Sequence, residues 1–192
     1  CKVVIGKDTR RSCYMFEDAL SAGLTASGAD VYLLHVTTTP SVSYAVQTED
    51  FDCGIMITAS HNPYTDNGIK LVNSKGEKME QDVLDKIEAH LDGLLPPIPM
   101  ATCEKIGRTV DYIAGRNRYV GYLISLAINS YKNIRVGLDC ANGSTWSIAK
   151  NVFDALGAKT YVINNEPNGL NINVDSGSTH IEVQQQYVLD NG

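Results

Sequence analysis

Val3-Val4-Ile5-Gly6-Lys7-Asp8-Thr9-Arg10-Arg11 passes from a short apolar run into a polar loop, and a helical pattern follows it. Phe16, Ala19, Leu20, Gly23 and Leu24 fall on one helical face, with Ser12 placed to cap the start and Gly28 to stop the helix. Val31 to Val36 then reads as a strand. Thr39 is a cap ahead of Pro40 at the first helical position, and Val42, Ala45 and Val46 form a short apolar stripe. Cys53 to Ile57 returns to strand, so strand and helix alternate as they do in an α/β sheet.

The same punctuation recurs further on. Val136-Gly137-Leu138-Asp139 echoes Ile5-Gly6-Lys7-Asp8, and Gly157-Ala158 echoes Gly28-Ala29, each pair standing between a helix and a strand. Two similar α/β domains would produce this echo. Between them, Ile69 to Val72 reads as a strand, Asn73 to Gly76 as a turn, and Val83, Leu84, Ile87, Leu91 and Leu94 as an amphipathic helix. Pro96-Pro97-Ile98-Pro99 stops that helix and opens a connection ending near Arg108, which divides the chain into residues 1–108 and 109–192. Val120, Leu123, Ile124, Ala127 and Ile128 mark a helix, Ile134 to Leu138 a strand, Ile148 to Leu156 a helix, and Thr160 to Ile163 a strand. A polar, Asn- and Gly-rich stretch from Asn164 to Gly177 leads to a last helix announced by the capping-box spacing of Thr179 and Glu182.

Composition narrows the function classes. The 192 residues are 43% hydrophobic with a formal charge of −6, and Lys and Arg are scattered, which excludes the basic stripe of a nucleic-acid binder. Five cysteines without a C-x-x-C pair fit neither a disulfide framework nor a structural zinc site, and read as reduced core thiols of a cytoplasmic protein. No apolar run has the roughly 18 to 20 residues that a membrane span needs. The chain opens directly on a strand and closes inside a helix, so both ends read as cuts in a longer protein.

The chemistry concentrates in Ile57-Thr58-Ala59-Ser60-His61-Asn62-Pro63, followed by Asn67-Gly68-Ile69-Lys70. In open α/β sheets the ligand crevice lies beyond the carboxyl ends of the strands, and the Asp8-Thr9-Arg10 loop and the Ser60 loop both leave such ends. A chain that leaves near Thr58 and returns as Ile69 to Val72 would bring Lys70 back near the level of Ser60. Taken alone, Ser60 with Asn62-Pro63 is also a good turn former, His61 an ordinary loop residue, and Lys70 and Arg10 ordinary surface cations. A serine that carries a phosphoryl group needs mainly positioning and charge neutralisation to transfer it, which Lys70 and Arg10 are suited to provide. Ser60 lacks the G-x-S-x-G setting of a hydrolase nucleophile.

Thr58-Ala59-Ser60-His61-Asn62-Pro63 with Asn67-Gly68-Ile69-Lys70 resembles the phosphoserine loop of the α-D-phosphohexomutases. Gly6-Lys7-Asp8-Thr9-Arg10 and Asp139-Cys140-Ala141-Asn142-Gly143 resemble two further segments of that family, so the likeness covers nearly the whole chain. Gly169-Leu170-Asn171-Ile172-Asn173 and Gly177-Ser178-Thr179-His180 are most similar to its bacterial glucosamine-phosphate branch, while Ser176 stands where a Cys is expected. The resemblance implies two similar three-layer α/β/α domains with mixed sheets, the first carrying the phosphoserine loop. It implies that Ser60 is phosphorylated, that its phosphate offers one ligand to Mg2+, and that Lys70 and Arg10 aid proton transfer and charge neutralisation while His61 contacts the reacting phosphate. The reaction implied moves phosphate between the 6- and 1-hydroxyls of glucosamine through a bisphosphate, with a phosphosugar substrate, a hexose bisphosphate activator and room for a homodimer. Glucose or mannose phosphates are the alternative substrates, and a noncatalytic scaffold is the alternative of a different class. The remaining metal ligands and the sugar-selecting loops would lie beyond Gly192, so this stretch alone would not turn over.

Overall fold

The computed structural model describes residues 1–191. Its first unit is a five-stranded mixed sheet in the order β4-β3-β1-β2-β5, made of β1 (Lys2–Lys7), β2 (Asp30–Val36), β3 (Cys53–Ile57), β4 (Ile69–Val72) and β5 (Thr109–Asp111). β1 lies at the centre and runs parallel to β2 and β3, while β4 closes one edge antiparallel to β3. Alternation along the strands sends side chains to opposite faces. Val3, Ile5, Val31, Ile55 and Ile57 join one core with Cys13 of α1 (Arg11–Ala26). Val4, Leu34 and Met56 join the other with Val42, Ala45 and Val46 of α2 (Thr39–Thr48). Burial on both faces explains why the central strands read as nearly continuous apolar runs. Three layers result, as expected.

The second unit holds β6 (Arg135–Asp139) and β7 (Lys159–Ile163), which pair in parallel, with α5 (Ala149–Ala155) and α6 (Ile181–Asn191) packed on them. Only a parallel pair is present among its described residues, so the mixed character is confined to the first sheet. α4 (Ile113–Ser125) touches both α2 and α5 and so joins the two units.

The internal echo is physical as well as textual. Asp8 Oδ1 accepts the Arg10 N–H at 2.9 Å, and Asp139 Oδ1 accepts the Ala141 N–H at 2.9 Å, so each strand ends in the same aspartate-closed turn. Gly28 and Gly157 both stop helices at φ 91°, in the left-handed region that only glycine enters without a Cβ penalty.

Four expectations need correction. β5 pairs with β2 from Thr109 to Asp111, so the first sheet extends past residue 108; its backbone groups finish an open sheet edge. The connection before it is not a free linker, since Ala101 N–H donates to Ala26 O at 2.8 Å and Gly107 N–H to Thr25 O at 2.9 Å, strapping it to the end of α1. α3 (Gln81–Leu91) ends short of Leu94, and none of its residues is fully buried, Val83 and Leu84 being half-covered. The thiols of Cys13 and Cys140 are core groups, whereas Cys1 and Cys103 are exposed; all five cysteines are free. Among the described residues no helix is long and apolar enough to cross a membrane. Ser176 is fully buried and its hydroxyl has no hydrogen-bond partner among the described residues, a cost that the weaker polarity of a thiol would reduce.

Candidate functional site

The loops leaving β1 and β3 emerge side by side at the carboxyl edge of the sheet, where Asp8 N–H donates to Ile57 O at 3.0 Å. The β3 loop departs at Thr58, makes an exposed excursion through Ser60 to Asn67, and re-enters where Thr58 N–H donates to Gly68 O at 2.9 Å. Gly68 is required by that approach, because a Cβ there would stand 2.6 Å from the Thr58 carbonyl oxygen. Within the excursion, Asn62 Nδ2 donates to Asp66 Oδ2 at 2.9 Å and Asp66 N–H to Pro63 O at 3.1 Å. Ser12 Oγ donates to Asn67 Oδ1 at 2.5 Å and ties the returning limb to α1. That bond occupies the hydroxyl expected to cap α1. The helix begins at Arg11, so Ser12 lies inside its first turn; Arg10 stands at the preceding position without a side-chain cap, and the Arg11 N–H donates to Gly169 O of the second unit at 3.0 Å.

Ser60, two residues into the excursion, is in a left-handed conformation with φ 56°, one that a residue with a Cβ adopts only when held there. Its N–H donates to Thr58 Oγ1 at 3.1 Å, and its side chain is exposed with no hydrogen bond to the hydroxyl among the described residues. An exposed, unengaged hydroxyl on a fixed backbone is what a group that receives and hands on a phosphoryl unit requires.

Arg10 lies beneath this loop rather than facing its hydroxyl. It is completely buried, paired through Nη1 with Asp8, and its Nη2 donates to Asn62 O at 2.6 Å and to the Ser60 and Pro63 carbonyls at 3.4 Å each. Arg10, expected to aid charge neutralisation, is directed at the backbone carbonyls of the loop and at Asp8. His61 is exposed beside Ser60. Lys70 is exposed on β4 opposite Met56, while Gly68 is the residue level with Thr58, so the register sets Lys70 further down the strand than the hairpin argument expected. Among the described residues Lys70 makes no ion pair.

Cys13 completes the underside, its thiol donating to Asp8 Oδ1 at 3.0 Å. Burial, reinforced by the adjacent Asp8 carboxylate, pushes the Cys13 thiol up to about 12, so it stays protonated and serves as a donor to Asp8 at neutral pH.

The second unit reaches the same loops. Thr9 Oγ1 donates to Asn142 O at 2.6 Å, and Asn173 Nδ2 donates to Ser60 O and Asn62 O at 2.9 Å each. Sequence reasoning placed neither Asp8, Asn142 nor Asn173 among the site residues. The Asp8 signal was legible in the aspartate that ends β1, but Asn173 lies 113 residues from Ser60 and nothing local marks the contact. Among the described residues there is no group of three His, Cys, Asp or Glu side chains able to hold a metal ion.

The phosphoglucomutase/phosphomannomutase α/β/α domain I family matches residues 1–95. A phosphoglucosamine mutase of Lachnospira eligens is 72% identical over 187 residues, which cover 97% of this chain and 42% of that protein. A phosphoglucosamine mutase of Lachnoclostridium phytofermentans is 66% identical over 191 residues, covering 100% of this chain and 43% of its own length. The chain thus spans about two fifths of these curated relatives. A crystal structure of a phosphoglucomutase/phosphomannomutase family protein from Burkholderia thailandensis has the same fold, with a TM-score of 0.72 over 88% of this chain and 36% of that one at 24% identity. Residues 1–95 thus belong to the phosphoglucomutase/phosphomannomutase α/β/α domain I family, and the rest of the chain continues the same alignment to phosphoglucosamine mutases.

Proposed function

We propose that this chain supplies the phosphoryl-carrying part of a phosphosugar mutase that interconverts glucosamine 6-phosphate and glucosamine 1-phosphate. The observation that carries the reading is Ser60: an exposed hydroxyl with no partner among the described residues, on a loop pinned by its carbonyls at the carboxyl edge of the sheet. Phosphorylated Ser60 gives its phosphoryl group to the 1-hydroxyl of glucosamine 6-phosphate. The serine O–P bond breaks as the bond to the sugar oxygen forms, and the sugar hydroxyl releases its proton to a base. Lys70 is the candidate for that proton exchange, since its long side chain is free of ion pairs among the described residues and can swing towards the loop. The bisphosphate then turns round and returns its 6-phosphoryl group to Ser60. His61 contacts the reacting phosphate, and Arg10 acts as a positioning residue whose charge is already matched by Asp8.

A magnesium ion would supply charge neutralisation at the transferring group. Within this chain only the Ser60 phosphate is a candidate ligand, and a hard dication takes about six oxygens, so these residues do not make a metal site by themselves. A hexose bisphosphate is the expected activator, because it can phosphorylate an empty Ser60. Cell-wall precursor synthesis in the cytoplasm is the setting that this substrate implies.

The substrate assignment is tested by measuring kcat/KM of the full-length protein carrying this chain on glucosamine, glucose and mannose 6-phosphates. Glucosamine 6-phosphate is expected to be preferred by about tenfold or more. A preference for mannose or glucose phosphate would move the protein to the other branch of the family, and no turnover of any of the three would reduce the chain to a binding scaffold.

A further inference from the structure

We infer that Asn173 is a positioning residue for the phosphoryl-transfer loop, acting from the second unit on the backbone of the first; the inference rests on the reading of Ser60 as the phosphoryl carrier. The direction of its amide is settled by chemistry. Both atoms it meets, Ser60 O and Asn62 O at 2.9 Å each, are carbonyl acceptors, so the nitrogen and not the oxygen of the carboxamide faces them.

Asn173 is itself held in place. Its N–H donates to Ala141 O at 2.9 Å, and its φ of 61° is left-handed, a conformation asparagine tolerates better than most residues. Ala141 is fixed in turn by Asp139, whose Oδ1 accepts its N–H at 2.9 Å and whose Oδ2 accepts the Gly177 N–H at 2.8 Å. A rigid path therefore runs from the aspartate that ends β6 to the carbonyl of Ser60.

On the Ser60 carbonyl the Asn173 bond is the short one, because Arg10 Nη2 reaches that oxygen only at 3.4 Å and is spent chiefly on Asn62 O at 2.6 Å. The Ser60 N–H is meanwhile held by Thr58 Oγ1 at 3.1 Å. Fixing the N–H and the C=O of one residue fixes its Cα–Cβ direction, and with it the line along which the hydroxyl, or a phosphoryl group on it, points. Without Asn173 the disfavoured left-handed φ of Ser60 loses its principal carbonyl anchor, and the reacting oxygen is free to wander. Misplacement by about 1 Å is enough to cost about 100-fold in rate.

Two variants of the full-length protein separate the hydrogen bonds from the backbone conformation. Asn173→Asp keeps the shape and tolerates the left-handed φ, but turns acceptors towards two carbonyls; Asn173→Gly keeps the φ and removes the side chain. Hydrogen exchange over residues 59–67 should quicken by about tenfold in both, with exchange in β1 unchanged. In both, kcat should fall by about tenfold or more with KM for the sugar phosphate within about twofold. Wild-type exchange in the loop, or a fall in kcat matched by faster exchange throughout β1, would overturn the inference. If wild-type Ser60 never carries a phosphoryl group, the phosphoserine reading fails, and the exchange comparison still decides whether Asn173 clamps the loop.

Discussion

Replacing Ser60 with alanine in the full-length protein is expected to lower mutase turnover by roughly 10⁴-fold or more while leaving unfolding stability within about 0.5 kcal/mol of wild type. The two halves of that expectation have separate causes. Turnover disappears because the covalent carrier of the phosphoryl group is gone. Stability is kept because the Ser60 hydroxyl has no partner among the described residues, so its removal leaves nothing unsatisfied. Ser60→Gly serves as the control for backbone strain. Glycine adopts a φ of 56° without penalty, so this variant should be at least as stable and equally inactive. Turnover by either variant within tenfold of wild type would remove Ser60 from the mechanism.

Arg10→Ala is expected to be the most destabilising single change at the site, by about 3–5 kcal/mol in urea unfolding, or roughly 6–20 °C in thermal midpoint. The guanidinium is wholly buried, and deleting it strands the Asp8 carboxylate, itself 1% exposed, without its countercharge. It also removes the donor shared by the Asn62, Ser60 and Pro63 carbonyls. The charge and the loop contribution can be separated by a double-mutant cycle. Asp8→Asn with Arg10→Met removes both charges and keeps a side-chain acceptor for the Arg10 backbone N–H and the Cys13 thiol. The double variant should lose less stability than the two single changes added together, by about 1–3 kcal/mol. Strict additivity would show that Arg10 stabilises the loop without its aspartate.

The strand and helix order of this chain was open to reading because the central strands of the first sheet are apolar on both faces and two of the helix stops are marked by a glycine at positive φ, Gly28 and Gly157. The Ser60 loop was legible from its motif and from its position after β3. Three features were not, and each depends on distance along the chain. Ser12 does not cap α1, since the helix starts one residue ahead of it and its hydroxyl is bonded to Asn67, 55 residues away. Lys70 was displaced from the level of Ser60 because the excursion closes at Gly68, not at Lys70, and an antiparallel register is set by where the ladder resumes. Arg10 looked like a surface cation in sequence, yet the carboxylate of Asp8 and the inward-turned carbonyls of the loop make burial of its charge sustainable. Asn173 belongs to the same class, since an asparagine in an Asn-rich stretch gives no local hint that it reaches a loop in the other unit.

The account stands most directly on whether Ser60 carries phosphate. The full-length protein, incubated with a hexose 1,6-bisphosphate and Mg2+, is analysed by intact mass and by sequencing of the peptide spanning residues 54–70. One phosphoryl group on Ser60, absent from Ser60→Ala, is the predicted result. Turnover of the sugar phosphate with Ser60 unmodified throughout, or a phosphoryl group carried by another residue, would contradict it.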